Sequence, residues 1–479
     1  MSRLPPWILV MAVWAAIYLP ALGSFEIKGE EGRRILPAIS MLETGNYVVP
    51  LVGSGTYFSK PPLVNWLIAA SFKVTGIRSE WTARLPSVLS VLAVALAFIT
   101  IARPALGARG GTIAALIWLT IIGLIEKGRL IEIEAVYVSL SSLAIVCWMS
   151  WWLSKRSPWL TWTVPWIFLG LGWLAKGPLH LIFFYAVVVA VLWQTKRLKT
   201  LFHPAHFIGL LIMLGIFAAW AIPFLQMSGQ GRALTKWSAQ FTGRASPQFF
   251  SLRAAILTLA RAIGQFLPWL IFIPLLRFGR FDETEKRLAR ALVWSSAVPL
   301  IAVSLIPVSS ARYSLPVAAP FCWLMALAFN QDAFARLPWF SVGDRTMWKR
   351  LGQPIVAVVV ISSLILFCGM SQLPNKHEKV KSIAGKINAL VPETETLYAV
   401  DPAYQPFLFY VRAPVKYLDR LEQVPDSARY VMVRPNRETA IEQSERWFSR
   451  RPRPVLRLTD YREQTVTVYE LAGSGRAGD

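Results

Sequence analysis

Apolar stretches of near-bilayer length, separated by short polar segments, recur along the first 371 residues. They predict transmembrane helices, because about twenty apolar residues in a helix cross the hydrocarbon core of a bilayer. The first stretch also fits a signal peptide, but the many that follow favour a retained first helix. We count about eleven spans, in a range of 11–13: 6–22, 85–102, 111–126, 135–153, 159–174, 177–194, 206–226, 254–276, 291–307, 313–330 and 354–371.

The polar segments between these spans form two alternating sets. One set carries most basic residues near the membrane and therefore faces the cytoplasm by the positive-inside rule. The other set contains Glu26, Glu30, Glu31, Glu43, Glu126, Glu132 and Glu134. The basic residue Arg3 then places the N-terminus in the cytoplasm, and an odd span count places the C-terminal segment on the outer side.

Two regions are predicted to lie outside the spans. The first outer loop, 23–84, is too long for a connector and contains the amphipathic stretches 33–42 and 63–74, which predict short interfacial helices. Residues 373–479 are charge-rich with alternating strand-like runs, and 473–479 is a predicted disordered tail. The predicted fold is an all-α polytopic membrane domain, 1–372, followed by a small α/β periplasmic domain, 373–479.

Composition agrees with this class. The chain is 55% hydrophobic and 16% charged, far from a typical soluble domain. The net charge of +23 is explained by basic loops beside spans and does not indicate nucleic-acid binding. The three cysteines lie in apolar stretches and predict neither disulfides nor a metal site. We find no internal sequence repeat, and therefore not the inverted repeat that is typical of many secondary transporters.

Charged residues concentrate in the first outer loop. Glu30, Glu31 and Arg33 follow the first span, and Tyr57 and Lys60 precede a diproline that can open a helix. A carboxylate at a dry interface can accept a proton from an attacking hydroxyl, and a fixed ammonium suits a phosphate. A solvated loop with ordinary ion pairs, and a lysine that reaches to the membrane surface, are the alternatives.

A second outer cluster mixes acids and bases at a helix entrance. Beside Arg129, the two carboxylates of Glu132 and Glu134 can hold a divalent metal or sugar hydroxyls, although helix capping explains Glu134 almost as well. Lys176 and Arg312 stand at other outer helix ends and can surround an anionic headgroup. Cations of the outer loop 227–253 and of the next span, Arg244 and Arg261 among them, suggest an aqueous cavity or phosphate pocket.

These motifs together resemble a known family. The segments Glu30–Arg34, Met41–Pro50, Tyr57–Leu63, Arg84–Ser87, Lys176–Pro178 and Arg312–Pro316 are similar to those of bacterial membrane glycosyltransferases of the aminoarabinose transferase and protein O-mannosyltransferase type. The resemblance covers about residues 6–330 and implies the GT-C fold. It implies transfer of a sugar from a polyprenyl-phosphate donor, such as undecaprenyl phosphate, to a lipid, glycan or protein acceptor on the periplasmic face.

The resemblance also implies roles for individual residues. Glu30, with Glu31, corresponds to the catalytic acid of the family and would serve as general base. The expected ligands of the donor phosphate are Arg33, Lys60, Arg244 and Arg312. The expected sugar- or acceptor-binding residues are Glu134, Glu132, Arg129, Tyr57 and Lys176.

This chain departs from the family pattern at several of these positions. Glu30 and Glu134 replace shorter aspartates, Arg34 replaces a tyrosine, and Ser59 replaces a glutamate. The outer loop 227–253 has no histidine that could complete a metal site. We therefore expect no zinc, leave another divalent metal open, and expect a sugar or acceptor different from those of the best-known members.

Two other classes of function remain open at this point. A lipid or glycan transporter also needs many spans, but it requires access from the inside, where these charge clusters do not lie. A noncatalytic membrane scaffold with an outer recruiting domain leaves the first-loop acids and Lys60 unexplained.

Overall fold

The computed structural model describes residues 5–242, 250–335, 346–372, 379–443, 445–448 and 450–472. The chain divides into two compact units. The helical unit comprises Met1–Leu22, Ser59–Val64 and Arg84–Ser371; the mixed unit comprises Gly23–Phe58, Asn65–Ala83 and Gln372–Asp479. The domain boundary predicted at residue 372 stays a prediction.

The helical unit is a bundle of long apolar helices. Its helices are α1 (Pro6–Tyr18), α4 (Glu80–Thr100, from Arg84 onward), α5 (Arg103–Thr120), α6 (Ile122–Gly128), α7 (Ile133–Leu153), α8 (Pro158–Ala175), α9 (His180–Gln194), α10 (Pro204–Ser228), α11 (Gln230–Thr242), α12 (Leu252–Gly264), α13 (Glu283–Leu305), α14 (Ala318–Asn330) and α15 (Gln353–Gln372). Its interior is filled by aromatic side chains such as Trp118, Trp148, Trp166 and Trp323.

Six helical segments within the described ranges are long and apolar enough to cross a membrane. They are Glu80–Thr100, Ile133–Leu153, Pro204–Ser228, Glu283–Leu305, Ala311–Asn330 and Trp348–Ser371. The number rises to eight if each of two bent helix pairs forms one span, and three shorter apolar helices accompany them. A multi-pass membrane protein is confirmed, whereas the count of eleven stays a prediction.

The mixed unit contains the first outer loop and the C-terminal segment. The predicted loop helices are present as α2 (Gly32–Thr44) and α3 (Leu63–Thr75), and a short hairpin pairs β1 (Leu51–Val52) with β2 (Gly55–Thr56). The C-terminal segment forms α16 (Lys381–Leu390), α17 (Pro435–Gln443), α18 (Glu445–Phe448), β3 (Leu397–Val400), β4 (Val415–Leu418), β5 (Tyr430–Val433), β6 (Arg453–Thr459) and β7 (Thr465–Glu470).

The C-terminal strands form one five-stranded sheet in the order β4-β3-β5-β7-β6. β3 pairs in parallel with β4 and β5, whereas β7 pairs antiparallel with β5 and β6. Val400, Val431, Val433 and Tyr469 pack a core on it together with Trp447. The predicted small α/β domain and its two predicted strands, 429–433 and 464–469, are confirmed.

Candidate active site

Two helices of the helical unit break where the sequence predicts continuous spans. α5 and α6 meet at 62°, and α12 bends by 99° against the 3₁₀ segment Trp269–Leu275. The expected straight spans 111–126 and 254–276 are therefore corrected. Pro268 lies in the second break, where a proline removes one backbone donor and disfavours helical geometry in the residue before it.

The backbone groups at the two breaks form hydrogen bonds with each other. The N–H groups of Ile122 and Gly123 donate to the carbonyls of Leu267 and Gln265, at 3.0 and 2.9 Å. A Cβ atom on Gly123 would lie 2.8 Å from both the Gln265 Cβ and the Leu315 side chain, so this approach needs glycine. Irregular backbone at membrane depth is tolerated only where protein buries it or where it lines a polar cavity.

A buried charge cluster lies next to these breaks; we define it as Glu126, Lys127, Glu132, Glu134, Lys176 and Arg312. At its centre, Glu134 Oε1 is 2.9 Å from Lys176 Nζ and 3.3 Å from Arg312 Nε. The Glu134 side chain is only 6% exposed. A carboxylate this deep requires paired cations, because desolvation alone would disfavour its charge.

Three residues form the central trio of the cluster, namely Glu134, Lys176 and Arg312, and two of them lie at helix ends. Glu134 lies in the first turn of α7 and Lys176 at the C-cap of α8, so each charge complements the dipole of its own helix. Arg312 lies in the 3₁₀ segment Ala311–Val317. The Tyr313 ring covers the lysine, with Lys176 Nζ 4.2 Å from its centroid.

Glu132 bridges the central trio to the edge of the cluster. Its Oε2 is 3.3 Å from both Arg312 and Lys127, and Lys127 also pairs with Glu126 at 3.0 Å. Burial raises the pKa of Glu132, and the nearby Lys127 opposes this effect. The cluster contains three carboxylates and three cations, so its formal charge is zero.

An open cavity of about 440 Å³ adjoins this cluster. Lys127, Arg261 and Arg312 line it on one side, with Gly123 and Gln265 from the two helix breaks. The buried Gln265 Oε1 has no hydrogen-bond partner among the described atoms. The three cations outnumber the one carboxylate at this cavity, Glu126, and therefore favour an anionic ligand.

A separate group of charged residues opens α2 in the mixed unit. Glu30 pairs with Arg33 and Arg34, both at 3.2 Å, and Arg34 also donates to the Tyr57 hydroxyl at 2.6 Å. Arg34 is buried, whereas Glu30 and Arg33 are partly exposed. Glu31 is buried at the N-cap of α2.

The first outer loop and the C-terminal segment contact each other within the mixed unit. The Glu26 carboxylate accepts hydrogen bonds from the N–H groups of residues 379–381, at 2.8–3.2 Å, and so caps α16. Tyr404 packs against Arg33, whose guanidinium lies 5.1 Å from the ring centroid, and its hydroxyl donates to the Gly29 carbonyl. The backbone that bears Glu30 is thus held by C-terminal residues.

This architecture is similar to that of known proteins. Residues 59–222 match the model of the dolichyl-phosphate-mannose-protein mannosyltransferase family. The structure of ArnT from Cupriavidus metallidurans bound to undecaprenyl phosphate superposes with a TM-score of 0.69 at 17% identity, covering 98% of this chain and 99% of that chain. The chain has the GT-C fold. The resemblance to aminoarabinose and O-mannosyl transferases is confirmed.

Two curated proteins are also similar to this GT-C chain. One is an undecaprenyl phosphate-alpha-4-amino-4-deoxy-L-arabinose arabinosyl transferase from Serratia proteamaculans, 25% identical over 69% of this chain. The other is an uncharacterized protein from Aquifex aeolicus, 29% identical over 40% of this chain. The chain spans 60% and 42% of the length of these two relatives.

The predicted site residues are distributed over both units of the GT-C chain. Glu132, Glu134, Lys176 and Arg312 come together in the buried charge cluster, and Glu30, Arg33 and Tyr57 lie around Arg34. Lys60 is half-buried in the bend before α3, in the helical unit. Arg244 lies outside the described residues.

Arg129 lies in a different environment from the one expected. Its guanidinium donates to the carbonyl of Ile17 at 2.5 Å and to that of Pro20, which caps the end of α1. It also stacks 3.6 Å from the centroid of the Phe367 ring. Its predicted contact with sugar or acceptor stays a prediction.

Sequence reasoning missed two members of the site and undervalued another. It did not select Gln265 or Lys127, and it used Arg261 to suggest an aqueous cavity or phosphate pocket without naming it as a site residue. The available signals were Pro268 inside an apolar stretch and a lysine directly beside Glu126.

Metal binding can be tested against the donor set. In the described part of the chain, no three His, Cys, Asp or Glu side chains lie close enough together to hold an ion. Glu132 and Glu134 already have cations within 3.3 Å. The Glu132 and Glu134 carboxylates, paired in this way, do not suit a metal ion.

Proposed function

We propose that this chain is an integral-membrane glycosyltransferase. It would move a sugar from a polyprenyl-phosphate donor to a lipid, glycan or protein acceptor on the periplasmic face of a bacterial inner membrane. The observation that carries the proposal is the cation-lined cavity beside the buried charge cluster, built where two helices break.

The charge of the cavity suits the leaving group of this reaction. When the bond between the anomeric carbon and the phosphate oxygen breaks, the polyprenyl phosphate acquires a second negative charge. Lys127, Arg261 and Arg312 line the cavity and would stabilise that charge. Cations that ion pairs already fix in place are effective here because they need not reorganise during the reaction.

Glu134 and Glu132 would position these cations. Glu134 holds Lys176 and Arg312, and Glu132 holds Arg312 and Lys127, all at 2.9–3.3 Å. Without these carboxylates, the flexible side chains of Lys127 and Arg312 would lose their fixed geometry. The predicted contact of Glu132 and Glu134 with sugar hydroxyls is an additional proposal.

Glu30 is the proposed general base when the acceptor is a hydroxyl. The acceptor oxygen attacks the anomeric carbon with inversion, its proton passes to Glu30, and the bond to the phosphate oxygen breaks. If the acceptor is a phosphate, Glu30 would position the sugar instead. Arg33, Lys60 and Arg244 remain proposed ligands of the donor phosphate.

The names of the relatives agree with this choice of donor. The Serratia protein is named for an undecaprenyl phosphate sugar, and the Cupriavidus structure contains undecaprenyl phosphate. The departures at Arg34, Glu30 and Glu134 support a sugar or acceptor different from aminoarabinose and its usual acceptor.

The test is mass spectrometry of envelope lipids and glycans from a deletion strain. The strain is complemented with wild type, Glu30→Gln, Lys60→Ala, Arg312→Gln, or the matched control Arg156→Gln, an exposed cation in the α7–α8 turn. One sugar increment should appear with wild type and the control. It should fall by about 100-fold or more with Arg312→Gln, as for loss of a preorganised transition-state donor.

The outcomes separate the proposed roles. If Glu30→Gln restores every glycan, Glu30 is not the base. If Arg312→Gln also restores every glycan, the transporter or scaffold function becomes the better explanation. If no variant and no wild-type strain shows a sugar increment, the transferase proposal fails. Membrane levels of each variant must match wild type for either conclusion.

A further inference from the structure

A second cavity lies in the helical unit, bounded by α1, α5 and α15. It is a groove of about 760 Å³, and most of its lining is aliphatic, including Leu9, Val13 and Leu116. Neither the buried charge cluster nor the cation-lined cavity contributes a residue to it. The transfer reaction does not account for it.

The groove has one charged end. Gly107, with φ 71° and ψ 168°, interrupts α5, so a new helical segment begins at Ala108 and places Arg109 in its first turn. Pro6 of α1 and Gln353 of α15 also line this end, because all three helices begin there. Arg109 is the one charged residue among the described residues that line the groove.

The opposite end is entirely apolar. Leu116 lies seven residues beyond Arg109 on one helix, hence about 10 Å deeper at the helical rise per residue. On the other two helices, Val13 and Ile361 also line the groove, seven residues after Pro6 and eight residues after Gln353. The groove therefore leads from one guanidinium to a hydrocarbon-lined interior.

Arg109 has donors available for a ligand. A guanidinium carries five N–H donors in a planar fork. Among the described residues, Arg109 donates to the Thr346 hydroxyl at 3.3 Å, a weak contact. Its side chain is exposed, and the basic residues Lys349 and Arg350 follow Trp348 of the groove wall.

We infer that this groove binds an anionic phospholipid, with the phosphate at Arg109 and one acyl chain along the aliphatic walls. Charge complementarity selects the headgroup, because a planar guanidinium pairs with a phosphate in bidentate fashion. The apolar lining extends about 10 Å from Arg109, which suits an acyl chain attached to that headgroup. By the positive-inside rule, the charged end faces the cytoplasmic leaflet, where anionic lipids would meet it.

Native mass spectrometry of the full-length protein in detergent tests this inference. The probes are dioleoylphosphatidylglycerol, dioleoylphosphatidylcholine and undecaprenyl phosphate. We expect phosphatidylglycerol to be retained in preference to phosphatidylcholine. Arg109→Gln should weaken phosphatidylglycerol binding by about tenfold, as expected for loss of a charge-assisted pair, and the exposed-cation control Arg156→Gln should leave it unchanged.

A second variant tests the groove itself. Ala357→Trp would fill it and should abolish retention of both phospholipids, while thermal unfolding confirms that the variant is folded. Equal retention of the two phospholipids, or no effect of Arg109→Gln, would overturn the inference. Arg109-dependent preference for undecaprenyl phosphate would overturn it by assigning the groove to a lipid carrier. A wild-type dimer that Ala357→Trp dissociates would instead assign it to a second copy of the chain.

Discussion

Six charged side chains gather in the buried charge cluster of the helical unit, and all of them except Glu126 are at least partly buried. Such burial stabilises a fold poorly. Replacing buried ion pairs with apolar side chains is often neutral or stabilising, because desolvation offsets most of the Coulomb attraction. The zero formal charge of this cluster limits that cost. A positioning role for Glu132 and Glu134 explains why the fold retains them in place of aliphatic residues.

Glu132 provides a pH-dependent test at the level of one residue. Its pKa is raised by burial, so the folded protein binds this proton more tightly than the unfolded chain does. The resulting stabilisation is complete below the ordinary pKa of 4.5 and is lost as the pH rises through the raised pKa. Glu132→Gln removes this contribution. The melting temperature of wild type minus that of Glu132→Gln should therefore decrease between pH 4 and pH 7.

Thermal unfolding in detergent at several pH values measures this difference. Glu126→Gln is the matched control, because the Glu126 side chain is 59% exposed. A wild-type advantage over Glu132→Gln that grows with pH would contradict the assigned direction of the shift.

At the level of helices, the sequence did not predict the two helix breaks. Hydropathy locates 111–126 and 254–276 correctly but presents them as uninterrupted spans. Their breaks depend on each other, because the donors of Ile122 and Gly123 meet carbonyls near Pro268. Such reciprocal pairing links segments distant in sequence, so a single apolar stretch carries only the proline as a signal.

Substitution of Arg129 tests how much the capping of the end of α1 contributes to stability. It donates to two carbonyls at the end of α1 from a buried position, so Arg129→Ala leaves them unsatisfied. The expected loss is about 3 kcal/mol of unfolding free energy, the upper range for hydrogen bonds to a charged group. Denaturant or thermal unfolding in detergent measures it, with exposed Arg103→Ala as the control.

The same variant examines the sugar-binding role that the sequence predicted. If Arg129 acts only on α1, activity per folded molecule should be retained well below the melting temperature, and Arg129→Lys should recover part of the stability. Undiminished stability together with a raised KM for the donor would instead favour direct contact with substrate.

For the whole molecule, the sequence predicted the fold class, most of the helices and two strands of the C-terminal sheet, because hydropathy and alternation are local properties. It also selected Glu132, Glu134, Lys176 and Arg312 as separate helix-end charges. It could not show that Arg312 pairs with both carboxylates at 3.3 Å and that Lys176 pairs with Glu134 at 2.9 Å, since those contacts depend on how α7, α8 and the segment Ala311–Val317 pack. Nor did it predict that Glu26 caps α16.

Membrane orientation is the remaining prediction for the whole chain. The basic loops place Lys196, after α9, in the cytoplasm, and an odd number of spans places Lys416 of β4 in the periplasm. Both side chains are exposed. In a background with Cys147, Cys322 and Cys368 replaced by serine, Lys416→Cys should react with a membrane-impermeant maleimide in intact spheroplasts. Lys196→Cys should react only after permeabilisation.

The same labelling decides whether α9, one of the shorter apolar helices, crosses the bilayer. Among the described residues, six to eight helical segments qualify as spans by length and composition, and α9 is one of three apolar helices of 10–17 residues beside them. If α9 does not cross, Lys196→Cys remains on the same side as Lys176 and is labelled in intact spheroplasts. Both variants must react equally after denaturation. Labelling of Lys196→Cys but not Lys416→Cys in intact spheroplasts would invert the orientation and place the proposed transfer on the cytoplasmic face.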